Sequence, residues 1–340
     1  MQLTPQSALV YLRERSLLAP DEAAEIRELS GGVSSTVLLI HPQGDKVDFV
    51  LKQALPQLKV QQQWLCSPQR AWREVDVLQI CSQLLKGESG IRVPDVLFDD
   101  RENYCFAMSA APEGHKTWKH LLLAGEADAQ IATACGCLLG VLHAKSWGGG
   151  PIPARLVDRS FFDALRLDPY YRRLAEVHPD LALALSKLID ETYATRQCLV
   201  HGDFSPKNLL VSPGEIWLID FEVGHFGDPA FDLGFFLTHL ALKAIHAAPR
   251  QDAYFQLIDA FWQSYQTRLA AAASARELAD LSRRAALHWS ACLLARIDGK
   301  SPVDYLTPAE QQHVRSLSRQ LLVQAPRNVE EVLSRIRTPR

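Results

Sequence analysis

The chain has 340 residues, enough for two packed lobes with cores of their own, and its 47% hydrophobic and 22% charged content is ordinary for a soluble globular protein. A net charge of −3 and a pI near 6.4 lack the basic excess that nucleic acids and anionic membranes select, and no apolar run approaches the ~20 residues of a bilayer span. Seven scattered cysteines show no Cys-x-x-Cys and no Cys/His ligand spacing, which argues against a zinc site and for reduced thiols. With no basic-then-apolar signal pattern after Met1, the expected location is cytoplasmic.

Thr4 as a cap, Pro5 in the first turn and Ala8, Leu9, Leu12 and Leu17 at helical spacing predict an opening helix over 4–18. Strand-like stretches follow at 26–29, 33–40 and 47–52, the last two joined by the hairpin turn Pro42-Gln43-Gly44-Asp45. The first two flank Ser30-Gly31-Gly32-Val33-Ser34-Ser35. Gly31 and Gly32 would let backbone N–H groups, those near Ser34 and Ser35 included, approach a phosphate, although a glycine pair also suits a plain turn. No Gly-x-x-x-x-Gly-Lys-Ser/Thr is present, so a Walker-type site is unsupported.

Lys52 closes the third strand, and a helix expected over 69–86 carries Glu74. In kinase-like folds such a lysine holds the α/β-phosphates and pairs with a helix glutamate. Two more strands, 96–98 and 104–108, lead into Ser109-Ala110-Ala111-Pro112-Glu113-Gly114. A Pro/Gly connector after a fifth strand is where a two-lobed kinase hinges, and backbone near Ser109 and Ala111 would face adenine. The expected division is therefore an N-terminal lobe at 1–109, a hinge at 110–114 and a C-terminal lobe at 115–340.

An apolar helix over 131–145 places His143 in its last turn, as a packed or capping histidine. Further helices fall within 161–194. Next, Leu199-Val200 and Leu209-Leu210-Val211 bracket the polar loop His201-Gly202-Asp203-Phe204-Ser205-Pro206-Lys207-Asn208, and Ile216-Trp217-Leu218-Ile219 runs into Asp220-Phe221-Glu222. Flanking strands present the loop's polar groups together, in a phosphoryl-transfer layout. An Asp is needed at the attacking hydroxyl, and an amide oxygen and a carboxylate suit Mg²⁺, a hard cation. Asp203 takes the first role and Asn208 and Asp220 the second. His201 belongs to the same catalytic loop and braces it by hydrogen bonds. Lys207 either reaches the transferring phosphate or faces solvent. Asp232 either caps its helix or holds the loop backbone.

Helices are expected near 231–247, 251–272, 275–296, 308–323 and 328–336. Residues 241–300 hold eight bases against five acids, where a polycationic acceptor would call for an acidic excess. A neutral or anionic acceptor such as a sugar fits better. Arg296, Asp298 and Lys300 at a helix end are candidate acceptor contacts, or a charge cluster that complements the helix dipole.

Together these residues resemble the aminoglycoside phosphotransferase/choline kinase superfamily, the small-molecule relatives of protein kinases. His201-Gly202-Asp203 with Asn208 resembles its catalytic loop, and Gly227-Asp228-Pro229-Ala230-Phe231-Asp232-Leu233-Gly234 the segment after its metal acid. The likeness runs from Ser30 to about residue 300. It implies an α+β, two-lobed protein-kinase-like fold: a small antiparallel-sheet N-lobe with a helix and a larger, mainly helical C-lobe. It also implies transfer of the γ-phosphoryl of ATP, with Mg²⁺, to a hydroxyl of a small acceptor. Within the superfamily, the methylthioribose kinase family is similar in its opening helix, in Leu51-Lys52-Gln53-Ala54-Leu55-Pro56, in a loop carrying Trp64, and in Arg70 to Glu74. It also has an Asp-x-Glu, matched by Asp220-Phe221-Glu222, in place of Asp-Phe-Gly. That implies Glu222 as a second metal ligand and a sugar such as methylthioribose as acceptor. The chain departs from that family at Asn208 and in length, and the family's substrate-side arginine pair maps at best onto Arg296. Rival readings are an aminoglycoside- or choline-type kinase and a nucleotide-binding pseudokinase serving as an interaction module. A protein kinase is disfavoured, since no Asp-Phe-Gly to Ala-Pro-Glu segment is present. Oligomeric state is left open, a homodimer included.

Overall fold

A computed structural model describes residues 2–29, 34–44, 46–58, 65–150 and 152–338. Gly31, Gly32 and Trp64 lie outside the described residues. Helix α1 (Pro5–Glu14) opens on a capping box: Thr4 Oγ1 accepts from the Ser7 N–H and the Ser7 hydroxyl accepts from the Thr4 N–H. It stops short of Leu18 because Ser16 adopts a left-handed φ of 57°.

Strands β1 (Ala24–Glu28), β2 (Ser35–Pro42) and β3 (Phe49–Ala54) precede helix α2 (Arg70–Leu84), and β4 (Ile91–Arg92), β5 (Val96–Asp100) and β6 (Cys105–Ser109) follow it. Five of these strands form an antiparallel sheet in the order β1-β2-β3-β6-β5. One face packs Leu38, Ile40, Leu51 and Ala107 with Ala8, Tyr11 and Leu12 of α1. The other presents Val50, Phe106 and Met108 to Val75 and Leu78 of α2. Strand alternation puts Lys52 on the same face as Val50, so its side chain must meet α2.

The remaining chain is mainly helical: α3 (Trp118–Leu123), α4 (Ala129–Lys145), α5 (Ser160–Phe162), α6 (Arg173–Val177), α7 (Ala182–Ala194), α8 (Ala230–His246), α9 (Gln251–Leu269), α10 (Ala275–Asp298), α11 (Pro308–Gln324) and α12 (Val329–Arg337). A π-helical stretch, Asp163–Arg172, joins α5 to α6 around Pro169, a residue that cannot supply an α-helical N–H. Five short strands complete the chain: β7 (Lys116–Thr117), β8 (Cys198–Val200), β9 (Leu209–Ser212), β10 (Glu215–Leu218) and β11 (His225–Gly227). They pair as β4-β10-β9-β7 and β11-β8, holding the 201–208 loop between the ends of β8 and β9. β4, β7 and β11, two or three residues long and without the continuous apolar run that marks β8, carry too little pattern to be read in sequence and are absent from the sequence expectation.

Helices α8 and α10 touch at Gly234. A Cβ there would lie 2.5 Å from the Trp289 backbone nitrogen and 2.5 Å from His288 Cβ. Gly234→Ala is therefore expected to lower stability by about 1–3 kcal/mol through overpacking, although alanine is the better helix former. Urea unfolding of the variant checks this; an unchanged midpoint would mean the two helices part without cost. Among the described residues no helix is long and apolar enough to cross a membrane.

Candidate active site

Lys52 Nζ sits 2.7 Å from Glu74 Oε1 and 2.7 Å from Asp220 Oδ1. The structure thus brings the β3 lysine, the α2 glutamate and the acid after β10 into one buried cluster. Burial opposes the ammonium, but Asp220 and Glu74 outweigh it and raise the Lys52 pKa. Burial pushes Glu74 up to about 7 against the pull of Lys52. The Asp220 carboxyl is also penalised by burial, yet Lys52 and Lys207 hold it below the ordinary range. Asp220 takes a left-handed φ of 73°, a conformation a non-glycine residue keeps only where its surroundings enforce it.

Asp203 lies buried in the loop after β8. Arg166 Nη2 reaches its Oδ1 at 3.0 Å; Lys207 Nζ (2.9 Å) and Asn208 Nδ2 (2.8 Å) reach Oδ2. Burial would raise its pKa, but Arg166 and Lys207 hold it below the usual carboxylate value. Such a carboxylate is a weak base, of the kind that could orient a hydroxyl and take its proton late. Lys207, its side chain half-exposed, pairs with this carboxylate, a contact that neither the phosphate nor the solvent reading of it anticipated.

His201 donates from Nε2 to the Ile219 carbonyl (3.2 Å) and accepts the Asp203 N–H at Nδ1 (3.0 Å). An acceptor nitrogen means a neutral ring, and burial depresses its pKa against the pull of Asp232 and Asp203. The bracing role fits this geometry. Asp232, in the first turn of α8, accepts the His201 and Gly202 N–H groups at 2.7 Å each. Gly202 has φ 77°, and a Cβ there would strike Val223 Cγ2 at 2.8 Å. His143 is packed, 3.0 Å from the Tyr265 hydroxyl and 3.4 Å from Asp232.

The donor set fits Mg²⁺. Asn208 commits its amide nitrogen to Asp203 Oδ2 and to the Asp203 carbonyl (3.0 Å), which leaves the amide oxygen on the opposite branch. The Asn208 carbonyl takes the Ile219 N–H at 3.0 Å, tying this residue to the segment that carries Asp220. Both are hard oxygen donors, as Mg²⁺ requires. Among the described residues, no group of three or more His, Cys, Asp or Glu forms a metal cluster.

Several expected contacts come out differently. Glu222 Oε2 is held at 2.8 Å by Arg70 Nε, whose side chain is fully buried. The same guanidinium donates to the carbonyls of Ser34, Leu55 (2.7 Å), Cys66 (3.1 Å) and Ser67 (3.0 Å). Glu222 is therefore the counter-charge of a strut fixing the start of β2 and the end of β3. Ser34 and Ser35 are buried at that start, beside the strand of Lys52. The Ser109 N–H donates to the Asp95 carbonyl (2.9 Å), which removes it from the adenine contact expected of it; Ala111 lies half-buried just beyond. Asp298 is clamped by Arg315 (2.7 and 2.8 Å) and His178 (2.9 Å), and Lys300 by Asp168 (3.0 Å). Both are thus held in ion pairs that cross between elements. Arg296 instead donates to the Tyr170 hydroxyl (3.3 Å) and Ser301 Oγ (3.0 Å) and meets no carboxylate among the described residues. Arg166 escaped the sequence reading, because a π-helical residue far upstream of the loop gives no local signal of its partner.

This fold and site define a kinase-like phosphotransferase, and the comparisons agree. The profile of the phosphotransferase enzyme family (APH) matches residues 25–241, and the chain belongs to that family. It is 26% identical to 4-hydroxytryptamine kinase of Psilocybe cyanescens, over 71% of this chain and 74% of that one. It is 25% identical to methylthioribose kinase of Pectobacterium atrosepticum, over 98% and 97%. Among solved structures, a choline/ethanolamine kinase family protein from Mesorhizobium loti superposes with a TM-score of 0.55 at 18% identity, covering 98% of each chain. Amicoumacin kinase hAmiN, in complex with AMP-PNP, Ca²⁺ and Ami, superposes at 0.59 with 14% identity, over 94% of this chain and 95% of that one. The chain is an enzyme of the small-molecule kinase class, with a small antiparallel-sheet lobe and a larger helical one.

Proposed function

We propose that the protein moves the γ-phosphoryl of ATP to a hydroxyl of a small, non-cationic acceptor of the sugar class. The observation that carries this is Asp203, buried and ionised between Arg166, Lys207 and Asn208, beside the Lys52–Glu74–Asp220 cluster. The nucleotide would lie between the lobes, which we divide at 110–114. Lys52, kept in place by Glu74, would take phosphate oxygens together with backbone N–H groups near Ser34 and Ser35. Asp220 and Asn208 would hold Mg²⁺, which when bound neutralises phosphate charge. Asp203 would receive the acceptor hydroxyl. Rate enhancement would come from positioning and charge neutralisation, with no covalent step on the protein.

Relatives named methylthioribose kinase span nearly the whole chain, so methylthioribose is the reference acceptor. A panel of hydroxylated metabolites scored for ATP-dependent ADP release tests the reading. At least one acceptor should be phosphorylated, and Lys52→Met should lower that rate by about 10²–10³-fold, the usual loss when one charge-stabilising group is removed. Turnover that ignores Lys52→Met would overturn the assignment of the nucleotide site.

A further inference from the structure

Beyond the catalytic loop, Phe235, His239 and Lys243 recur every four residues along α8 and form one stripe. At its near end the Arg166 guanidinium lies 6.0 Å over the Phe235 ring, and His239 packs edge-on against that ring at 4.9 Å. At its far end Lys243 Nζ lies 5.3 Å over the ring of Tyr305. Lys243 is only 2% exposed, and among the described residues its ammonium donates only to the His239 carbonyl of its own helix, at 3.3 Å. Arg296 of α10 and Lys119 of α3 are near enough to act on that ammonium, and no carboxylate pairs with any of the three among the described residues. Burial, then Lys119, then Arg296 push the Lys243 pKa down to about 7. Three buried polar atoms here have no partner among the described residues: His239 Nε2, Arg296 Nε and the Tyr305 hydroxyl. The surrounding acids do not neutralise the cluster. Asp304 is exposed and acts on Tyr305 from outside, and Glu310 pairs with His246 at 3.5 Å.

A buried cation without a counter-charge is costly, and neighbouring cations add repulsion. Folds retain such arrangements where a ligand supplies the missing charge. We propose that Lys243, Arg296, His239 and Tyr305 seat an anionic group, a carboxylate or a phosphate, carried by the acceptor whose hydroxyl meets Asp203. The stripe connects the two ends: Arg166 pairs with Asp203 at 3.0 Å and lies over the Phe235 ring, against which His239 packs. The acceptor is then a sugar acid, a sugar phosphate or a comparable hydroxy acid, and a neutral sugar or an amino sugar is a poorer fit. The acceptor role rests on the phosphotransfer reading; the anion seat does not.

Titration calorimetry in the Lys52→Met background, which removes the nucleotide-phosphate lysine, tests the seat. The probes are inorganic phosphate and two matched pairs: D-ribonate with ribitol, and D-ribose 5-phosphate with D-ribose. At least one acid should bind about tenfold or more tightly than its neutral partner, as charge pairing in a dry site provides. The member of the pair that shows the gap says whether carboxylate or phosphate is taken. Adding Lys243→Met or Arg296→Gln should erase the gap, and Lys243→Arg should keep it. Lys243→Met relieves an unpaired charge and should melt no lower than the parent, so a loss of binding will not reflect misfolding. In the ADP-release assay with wild-type protein, the favoured acid should show about a tenfold higher kcat/KM than its neutral partner. Failure of phosphate and both acids to bind, or a gap that survives both variants, overturns the proposal. Lys243-dependent anion binding with no ADP release from any acceptor would instead uphold the seat and sink the phosphotransfer reading.

Discussion

Asp203→Ala is expected to lower kcat by about 10²–10⁴-fold, the range for loss of a positioned general base, while Mg·ATP affinity stays within a few-fold. The split follows from the geometry. The groups assigned to nucleotide phosphates centre on Lys52, which touches Glu74 and Asp220 but not Asp203. Asp203 instead engages Arg166, Lys207 and Asn208. Removing the carboxylate leaves two cations facing each other, so Asp203→Ala should also lose stability. Asp203→Asn keeps the volume and isolates the charge. Coupled ADP release with a productive acceptor, alongside calorimetric nucleotide binding, reads both quantities. Undiminished turnover in Asp203→Asn would remove this residue from its role.

The same ion pairs fix a pH signature. The folded-state pKa of Asp203 lies below its ordinary value of 3.8. Its pairing therefore contributes stability that is complete above that value and is lost as the pH falls through the depressed folded value. Over the neutral range the base stays ionised, so no limb of the rate profile between pH 5 and 8 should arise from it. Glu74, raised to about 7, behaves oppositely: the unfolded chain releases that proton first, so its contribution to stability declines as the pH rises from 4.5 towards 7.

How much of this was legible in the sequence depended on the range of the interactions. The loop from His201 to Asn208 and the acid at 220 could be read because β8, β9 and β10 are nearly continuous apolar runs separated by short polar stretches. Local spacing then determines the site. Lys52 and Glu74 were readable by strand alternation and helix placement, and both lie where those rules put them. Fully buried groups paired across the chain were not. Arg166 reaches Gly202 and Asp203 from a π-helical stretch that no simple period describes. The stripe of Phe235, His239 and Lys243 reads as helix, but nothing local says that its cations lack acids. The pairings of Asp298 and Lys300 were unreadable for the same reason, since their partners Arg315, His178 and Asp168 lie on other elements.

The second large effect is expected at Arg70. Its side chain is fully buried, anchors four backbone carbonyls and neutralises Glu222. Arg70→Met leaves Glu222 as an uncompensated buried charge, so stability should fall by about 3–5 kcal/mol. Glu222→Gln replaces the charge with a neutral acceptor and should cost about 1–3 kcal/mol. The double variant should lose less than the sum of the two, because the pair acts as one unit. These measurements also decide between two roles for Glu222. A strut predicts that Glu222→Gln melts early while the Mg²⁺ concentration supporting half-maximal turnover is unchanged. By contrast, Asp220→Asn should demand far more Mg²⁺. A metal ligand predicts the reverse for Glu222→Gln: wild-type stability with a raised Mg²⁺ requirement. The geometry favours the strut. Oε2 already carries a charge-assisted bond from Arg70, and a divalent cation bound there would stand beside a guanidinium fixed on every side.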